Sequence, residues 1–133
     1  MMIKVLLVDD HTVLRDGLRY LLEAQEDIQI IATAANGQEA VEQATQNCPD
    51  VVLMDISMPV MNGIEATRQI CEVCKNTKVA ILSMHHTSEY LQRALKAGAQ
   101  GYLLKDSAGT EVIEAIHALH EGRSYFSQKI VGM

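Results

Sequence analysis

Val51-Val52-Leu53-Met54-Asp55-Ile56-Ser57-Met58-Pro59 is the stretch that identifies the fold of this 133-residue chain. Its four leading apolar residues are typical of a strand buried on both faces in a parallel sheet, although a buried helix segment also fits them. Asp55 follows where the strand must end, because Pro59 and Gly63 interrupt regular structure. In an open α/β sheet, ligands bind beyond the carboxyl ends of the strands. Asp55 therefore either lines a binding site or caps the next helix.

Short apolar runs alternate with amphipathic segments on both sides of this stretch. Strands are predicted at 3–8, 28–34, 51–54, 78–82 and 101–104; helices are predicted to open near 11–12, to span about 38–47, to begin near 61–62, and to span 88–97 and about 108–120. The helix at 88–97 is predicted to turn Leu91, Ala94 and Leu95 inward. Five β-α units with short connections predict an α/β domain with a doubly wound, five-stranded parallel sheet of flavodoxin-like order 2-1-3-4-5 and helices on both faces.

Composition excludes several classes of function for the chain itself. The net charge is -6, aromatic residues make up 4%, and there is no Trp, so a nucleic-acid surface is not expected. No run approaches the roughly 18 apolar residues of a membrane span, and the N-terminus does not resemble a signal peptide. A cytoplasmic protein with no membrane partner is therefore predicted.

The three cysteines are not predicted to form a disulfide framework. Cys48, Cys71 and Cys74 are odd in number and follow no secretion signal, so no disulfide framework is expected. Cys71 and Cys74 have CxxC spacing, but they fall near the end of a predicted helix rather than at its beginning. No second pair completes a zinc site, and the pair is therefore interpreted as helix residues.

Polar residues follow four of the five predicted strands. They are Asp9 and Asp10 after the first strand, Asp55 after the third, Ser83 after the fourth and Lys105 after the fifth. The order 2-1-3-4-5 places the crevice of the sheet between the first and third strands, so all three carboxylates flank it. These residues are therefore expected to form one site.

The residue types in this cluster indicate phosphoryl chemistry. Three carboxylates in one crevice require a cation, and an oxygen-only ligand set suits Mg²⁺. Lys105 supplies a positive charge for a phosphoryl group, and Ser83 supplies a hydroxyl donor. Asp55 is the expected nucleophile, because an Asp carboxylate can form an aspartyl-phosphate.

These motifs resemble the receiver domain of bacterial two-component response regulators over about residues 2–121. The resemblance rests on Asp9-Asp10, on Asp55 with Met58-Pro59 and Gly63, on Ser83, and on Tyr102 three residues before Lys105. The wording Asp9-Asp10-His11, Leu82-Ser83-Met84-His85 and Gly101-Tyr102-Leu103-Leu104-Lys105-Asp106 is most similar to the NarL/FixJ (LuxR-type) branch. Asp106 stands where many receivers have Pro, which puts a cis-proline turn in doubt.

The resemblance implies a role for each site residue. Asp55 would accept phosphate from a histidine kinase, and the chain would be a phosphoacceptor switch rather than an enzyme. Asp10, Asp55 and the backbone carbonyl of Ser57 would bind Mg²⁺, with Asp9 acting through water. Ser83 and Tyr102 would form the switch pair, in which the hydroxyl moves toward the phosphate and the ring turns inward.

The resemblance also sets expectations for domain organisation. Members of the branch carry a C-terminal helix-turn-helix DNA-binding domain, so residues 1–121 are interpreted as the receiver and 122–133 as a linker or tail toward a domain absent from this chain. Tyr125, Phe126, Ile130 and Val131 make that tail apolar enough to dock. Phosphorylation could produce a homodimer, and DNA binding is expected only of a longer parent protein.

Three alternatives remain beside the transcriptional switch. An aspartyl-phosphate phosphatase on the same fold would carry Asp-x-Asp-x-Thr, whereas Asp55-Ile56-Ser57 lacks the second Asp. A flavin or nucleotide module would need a Gly-rich or Ser/Thr-rich loop after the first strand, and Asp9-Asp10 is acidic instead. A stand-alone receiver acting through protein partners is the third. His85 and His86 are interpreted as solvated loop residues rather than phosphate carriers or ligands.

Overall fold

The computed structural model describes residues 2–84 and 87–131, so the interpretation of His85 and His86 lies outside the described residues. The strands are β1 Ile3–Val8, β2 Ile28–Ala34, β3 Val51–Asp55, β4 Lys78–Ser83, β5 Gly101–Leu104 and β6 Tyr125–Phe126. The helices are α1 Thr12–Glu23, α2 Gly37–Gln46, α3 Gly63–Val73, α4 Ser88–Ala97, α5 Ala108–His120 and α6 Gln128–Val131, with a 3₁₀ turn at Lys105–Ser107.

The strands form one parallel sheet of order β2-β1-β3-β4-β5-β6. β3 lies between β1 and β4, and all five of its residues are buried, as its continuous apolar run predicts. Its register pairs Val8 with Met54 on one side and Asp55 with Leu82 on the other. The predicted α/β class and the order of the first five strands are confirmed.

Helices cover both faces of the sheet. Leu18 and Leu22 of α1 pack with Val112 and Ile116 of α5 on one face, and α2, α3 and α4 contribute to the core on the other. The prediction that Leu95 turns inward is wrong, because its side chain is exposed while Ala94 takes the buried position. Among the described residues, no helix is both long and apolar enough to cross a membrane.

Over the residues that the structure describes, the sheet has six strands rather than the five predicted. β6 pairs with the edge of β5, with Phe126 opposite Tyr102, and the Ser127 N–H donates to the Tyr102 carbonyl at 3.0 Å. Ile130 of α6 is buried in the same core cluster as Tyr102. Helix α5 supplies the crossover that a parallel pairing requires. β6 is only two residues long, and a segment of that length shows no periodic pattern, so the sequence did not predict this strand.

The cysteine prediction is wrong for two of the three residues. Cys48, in the connection from α2 to β3, is joined to Cys74, the residue that follows α3, as a disulfide. Cys71 is free and half-buried, so the CxxC spacing itself forms no pair. The pairing arises because α2 and α3 are neighbours on one face of the sheet, a proximity that cysteine counting does not detect.

Candidate functional site

The carboxyl ends of β1, β3, β4 and β5 lie together at one edge of the sheet. Asp9 directly follows β1, Asp55 ends β3, Ser83 ends β4 and Lys105 directly follows β5. The register sets Ser83 opposite Leu104, one residue before Lys105. The sheet order therefore brings together the polar residues that the sequence placed at separate strand ends.

Asp55 is a buried carboxylate with one close cation. It is 1% exposed, and its Oδ1 lies 3.0 Å from Lys105 Nζ and 3.4 Å from the Ser57 backbone nitrogen. Burial raises the pKa of Asp55, the hydrogen bond from Lys105 lowers it, and the charge of Asp9 raises it again, so that this pKa is about 6. The fold therefore keeps an ionised Asp55 near neutral pH only at an energetic cost.

Asp9 is the second buried carboxylate of the site and has no exposed surface. Its Oδ1 accepts the backbone N–H of His11 at 2.8 Å and lies 2.9 Å from His11 Nδ1. Its Oδ2 lies 3.4 Å from Lys105 Nζ, and Arg15 Nη1 donates to the Asp9 carbonyl at 3.1 Å. Lys105 thus bridges Asp9 and Asp55 with a side chain that is only 7% exposed.

Among the described residues of the site, carboxylates outnumber the positive charges and hydrogen-bond donors that could satisfy them. Asp9, Asp10 and Asp55 contribute three carboxylates, against which Lys105 supplies one fixed positive charge. Oδ2 of Asp9 and Oδ2 of Asp55 are buried and accept no hydrogen bond from any described residue. Such oxygens are costly to bury without a partner. Their donor chemistry, oxygen ligands with excess negative charge, fits a hard divalent cation.

Ser83 and Tyr102 lie side by side on adjacent strands and are buried. Their side chains hydrogen bond to each other, and burial raises the pKa of Tyr102 while the bond to Ser83 lowers it. The Tyr102 ring belongs to the core cluster formed with α4 and β6. The predicted switch residues therefore contact each other, with the ring in the buried position.

The loop from β3 to α3 is held tightly around Asp55. A Cβ on Gly63 would meet the Asp55 carbonyl oxygen at 1.9 Å, so only glycine fits there. Asn62 begins α3 by accepting the Glu65 N–H at 3.0 Å. Val60, in the loop between β3 and Asn62, adopts a φ of 71°, a left-handed conformation that is strained for a β-branched residue.

Sequence reasoning missed one residue of the site and one contact close to it in the chain. His11 was assigned only to the start of α1, although its position directly after Asp9-Asp10 signalled that it shares their strand end. Ser127 donates to Glu111 at 2.6 Å and accepts the Leu104 N–H at 3.0 Å, next to Lys105 in the chain. No sequence pattern marked this contact, because it depends on the docking of β6.

Comparison with known proteins agrees with this geometry. The family model described as the response regulator receiver domain matches residues 5–117. The transcriptional regulatory protein LnrK of Bacillus subtilis is 45% identical over 91% of this chain and 55% of its own length. LiaR of the same organism is 43% identical over 98% and 62%, so the chain spans between half and two thirds of the relatives it matches.

Solved structures show the same similarity. A LuxR-family two-component response regulator from Aurantimonas sp. SI85-9A1 superposes with a TM-score of 0.93 at 36% identity, covering 99% of this chain and 94% of that one. The signal receiver domain of NarL from Mycobacterium tuberculosis gives 0.87 at 32% identity, covering 92% and 98%. The fold, the site and the matched family agree, and the chain belongs to the response regulator receiver domains of the LuxR/NarL branch.

Proposed function

We propose that this chain is the phosphorylation-controlled switch of a two-component system, in which Asp55 accepts a phosphoryl group from a histidine kinase. An Asp55 carboxylate oxygen forms a bond to phosphorus, and the bond from phosphorus to the donor imidazole breaks. The imidazole nitrogen keeps the electron pair and is reprotonated from solvent. The observation that carries the proposal is the buried Asp55, 3.0 Å from Lys105 in a cluster of three carboxylates.

Mg²⁺ is the proposed cofactor, as in receiver domains generally, which bind it at an acidic pocket. Asp10, Asp55 and the Ser57 backbone carbonyl would hold it, with Asp9 acting through water, and the unpaired buried oxygens of Asp9 and Asp55 support this assignment. The bound ion would offset negative charge on the transferring group. Lys105 supplies the second positive charge, and it must exchange its contact with Asp55 for one with the phosphoryl group.

The kinase is proposed to approach across an apolar rim beside the site. A groove of about 600 Å³ is lined by Val13, Leu14 and Met84 together with Lys105. Val13 is 87% exposed and Met84 is 69% exposed, which is unusual for apolar side chains at a polar site. An amphipathic donor helix laid on this rim would bring a phosphohistidine to Asp55 while excluding water.

The readout is proposed to pass through Ser83 and Tyr102. A phosphoryl oxygen on Asp55 would compete with Tyr102 for the hydrogen bond of the Ser83 hydroxyl. Loss of the bond to Ser83 would let the Tyr102 ring move, and the surface formed by α4 and β6 would change with it.

In a longer parent protein, this change would control transcription through a DNA-binding domain in the cytoplasm. Residues 122–133 would lead toward that domain, although Tyr125–Phe126 and Gln128–Val131 pack here as β6 and α6. Phosphorylation is proposed to produce a homodimer, which would link the change at Asp55 to the control of transcription. The chain itself is proposed neither to bind DNA nor to turn over an external substrate.

Intact mass measurement tests the phosphoacceptor. The chain is incubated with acetyl phosphate and Mg²⁺, and a gain of about 80 Da, the mass of one phosphoryl group, is expected. Asp55→Asn should show no gain, whereas Asp16→Asn, the same change at an exposed carboxylate of α1, should behave like the wild type. A gain that persists in Asp55→Asn, or no gain in a folded wild type, would contradict the proposal.

A further inference from the structure

His11 has a side chain that its place in the chain does not explain. It is the N-cap residue of α1, yet its side chain makes no capping hydrogen bond to that helix. Its backbone N–H donates to Asp9 Oδ1, and its ring nitrogen Nδ1 lies 2.9 Å from the same oxygen. The His11 ring therefore interacts with the carboxylates and not with the free N–H groups of the first turn.

Nδ1 of His11 faces the oxygen atoms of all three carboxylates. It lies 2.9 Å from Asp9 Oδ1, 3.3 Å from Asp10 Oδ1 and 3.9 Å from Asp55 Oδ2. One ligand atom from each of these four residues falls within 4.8 Å of the others. Separations of 3–4 Å are those between neighbouring donors around a metal whose bonds are about 2.0–2.2 Å long.

The unpaired oxygens provide independent evidence that a ligand belongs at this point. Oδ2 of Asp9 and Oδ2 of Asp55 are buried in the same site and accept no hydrogen bond from the described residues. Lys105 Nζ, 3.0 Å from His11 Nδ1, already serves two carboxylates and leaves the charge deficit uncorrected. A cation shared by the oxygens and the ring nitrogen would satisfy both groups.

We propose that His11 is a side-chain ligand of the divalent cation in this site, and that it shifts the preference of the site from Mg²⁺ toward transition ions such as Mn²⁺, Co²⁺ and Zn²⁺. The reason is the donor atom. Mg²⁺ takes oxygen ligands almost exclusively, whereas imidazole suits first-row transition metals. This inference rests on the metal site proposed above and adds one residue, with a selectivity, to it.

Electron paramagnetic resonance of Mn²⁺ tests the inference on the untagged full chain. Pulsed measurements on the Mn²⁺ complex should show ¹⁴N coupling from a directly bound imidazole. His11→Asn, which keeps an N-cap residue, should lose that coupling and bind Mn²⁺ at least tenfold more weakly, while Mg²⁺ affinity, measured by competition, changes less than twofold. His120→Asn, at an exposed histidine at the end of α5, is the matched control and should match the wild type in both measurements.

The outcomes separate this inference from the proposed function. Mn²⁺ binding that requires Asp55 but shows no ¹⁴N coupling, with equal affinity in His11→Asn, overturns the role of His11 and leaves the metal site intact. Absence of Mn²⁺ binding, or binding that survives Asp55→Asn, overturns both. Because the coupling is measured on the wild type, a folding defect in the variant would not weaken the test.

Discussion

Replacing Asp55 by Asn is expected to stabilise the protein at neutral pH. The fold raises the pKa of Asp55 from 3.8 to about 6, chiefly through burial. Each factor of ten in proton affinity corresponds to about 1.4 kcal/mol, so keeping Asp55 ionised at pH 7.5 costs about 3 kcal/mol. Asp55 is 1% exposed, so solvent screening does not reduce this cost. Removing the charge should return up to this amount to the free energy of unfolding.

The stabilisation should depend on pH with a definite sign. A carboxyl group with a raised folded pKa binds its proton more tightly in the folded state, so its favourable contribution is present at low pH and is lost as the pH rises through about 6. The difference between Asp55→Asn and the wild type should therefore be largest above pH 7. It should shrink as the pH falls through 6 and vanish below about 4.

Urea unfolding at pH 7.5, 6.0 and 4.0 measures this difference, without divalent cations. At pH 7.5 the variant should be more stable by about 2–3 kcal/mol, or roughly 10 °C in Tm. Asp16→Asn, at an exposed carboxylate, should change stability by less than about 0.5 kcal/mol at every pH. Equal stability of wild type and Asp55→Asn at pH 7.5, or a gain that does not decline with acid, would refute the reasoning.

Three further changes test other parts of the structure. Lys105→Met removes the cation that lowers the pKa of Asp55, so that pKa should rise above 6 and stability at pH 7.5 should fall by about 3–5 kcal/mol, with a smaller loss in acid; unchanged urea midpoints would contradict this. Val60→Gly relieves a positive φ and should stabilise the protein by about 1 kcal/mol; a variant less stable than the wild type would contradict this prediction. Closing the chain between Cys48 and Cys74, 26 residues apart, should add up to about 3.5 kcal/mol to the oxidised protein relative to the reduced one; Cys48→Ser should lose this redox dependence and Cys71→Ser should keep it.

Most of the fold was predictable because each of the first five strands carries its own signal. The continuous apolar run of β3 is typical of burial on both faces, and a parallel sheet covered by helices provides it. The buried face of a helix was harder to predict from the sequence. Ala94 and Leu95 are adjacent and both apolar, and the angle at which α4 packs on the sheet decides which of them is buried. The pairing of Cys48 with Cys74 likewise depends on the neighbouring positions of α2 and α3.

The candidate site was predictable to the level of residue types. The carboxyl ends of parallel strands lie at the same edge of a sheet, so the sequence alone predicts that Asp9, Asp55 and Lys105 lie close together. The direction of a short side chain could not be predicted, and His11 was therefore assigned to the helix start when its ring faces the carboxylates. The positive φ of Val60 could not be predicted either, because a β-branched residue gives no sign of a left-handed conformation.

The features that violate the local rules cluster around Asp55. A strand end is a favourable place to expose a carboxylate, yet this one is buried with an unpaired oxygen. The adjoining loop holds Val60 in a strained conformation, when the rest of the described backbone has positive φ only at glycine. Such departures persist where function requires them and the surrounding fold compensates. Burial destabilises the ionised Asp55 carboxylate and also removes the water that would screen its charge. The free-energy cost measured in Asp55→Asn and the reactivity of Asp55 toward a phosphoryl group therefore have the same physical origin. Asp55→Asn, which relieves this cost, should therefore also remove phosphorylation.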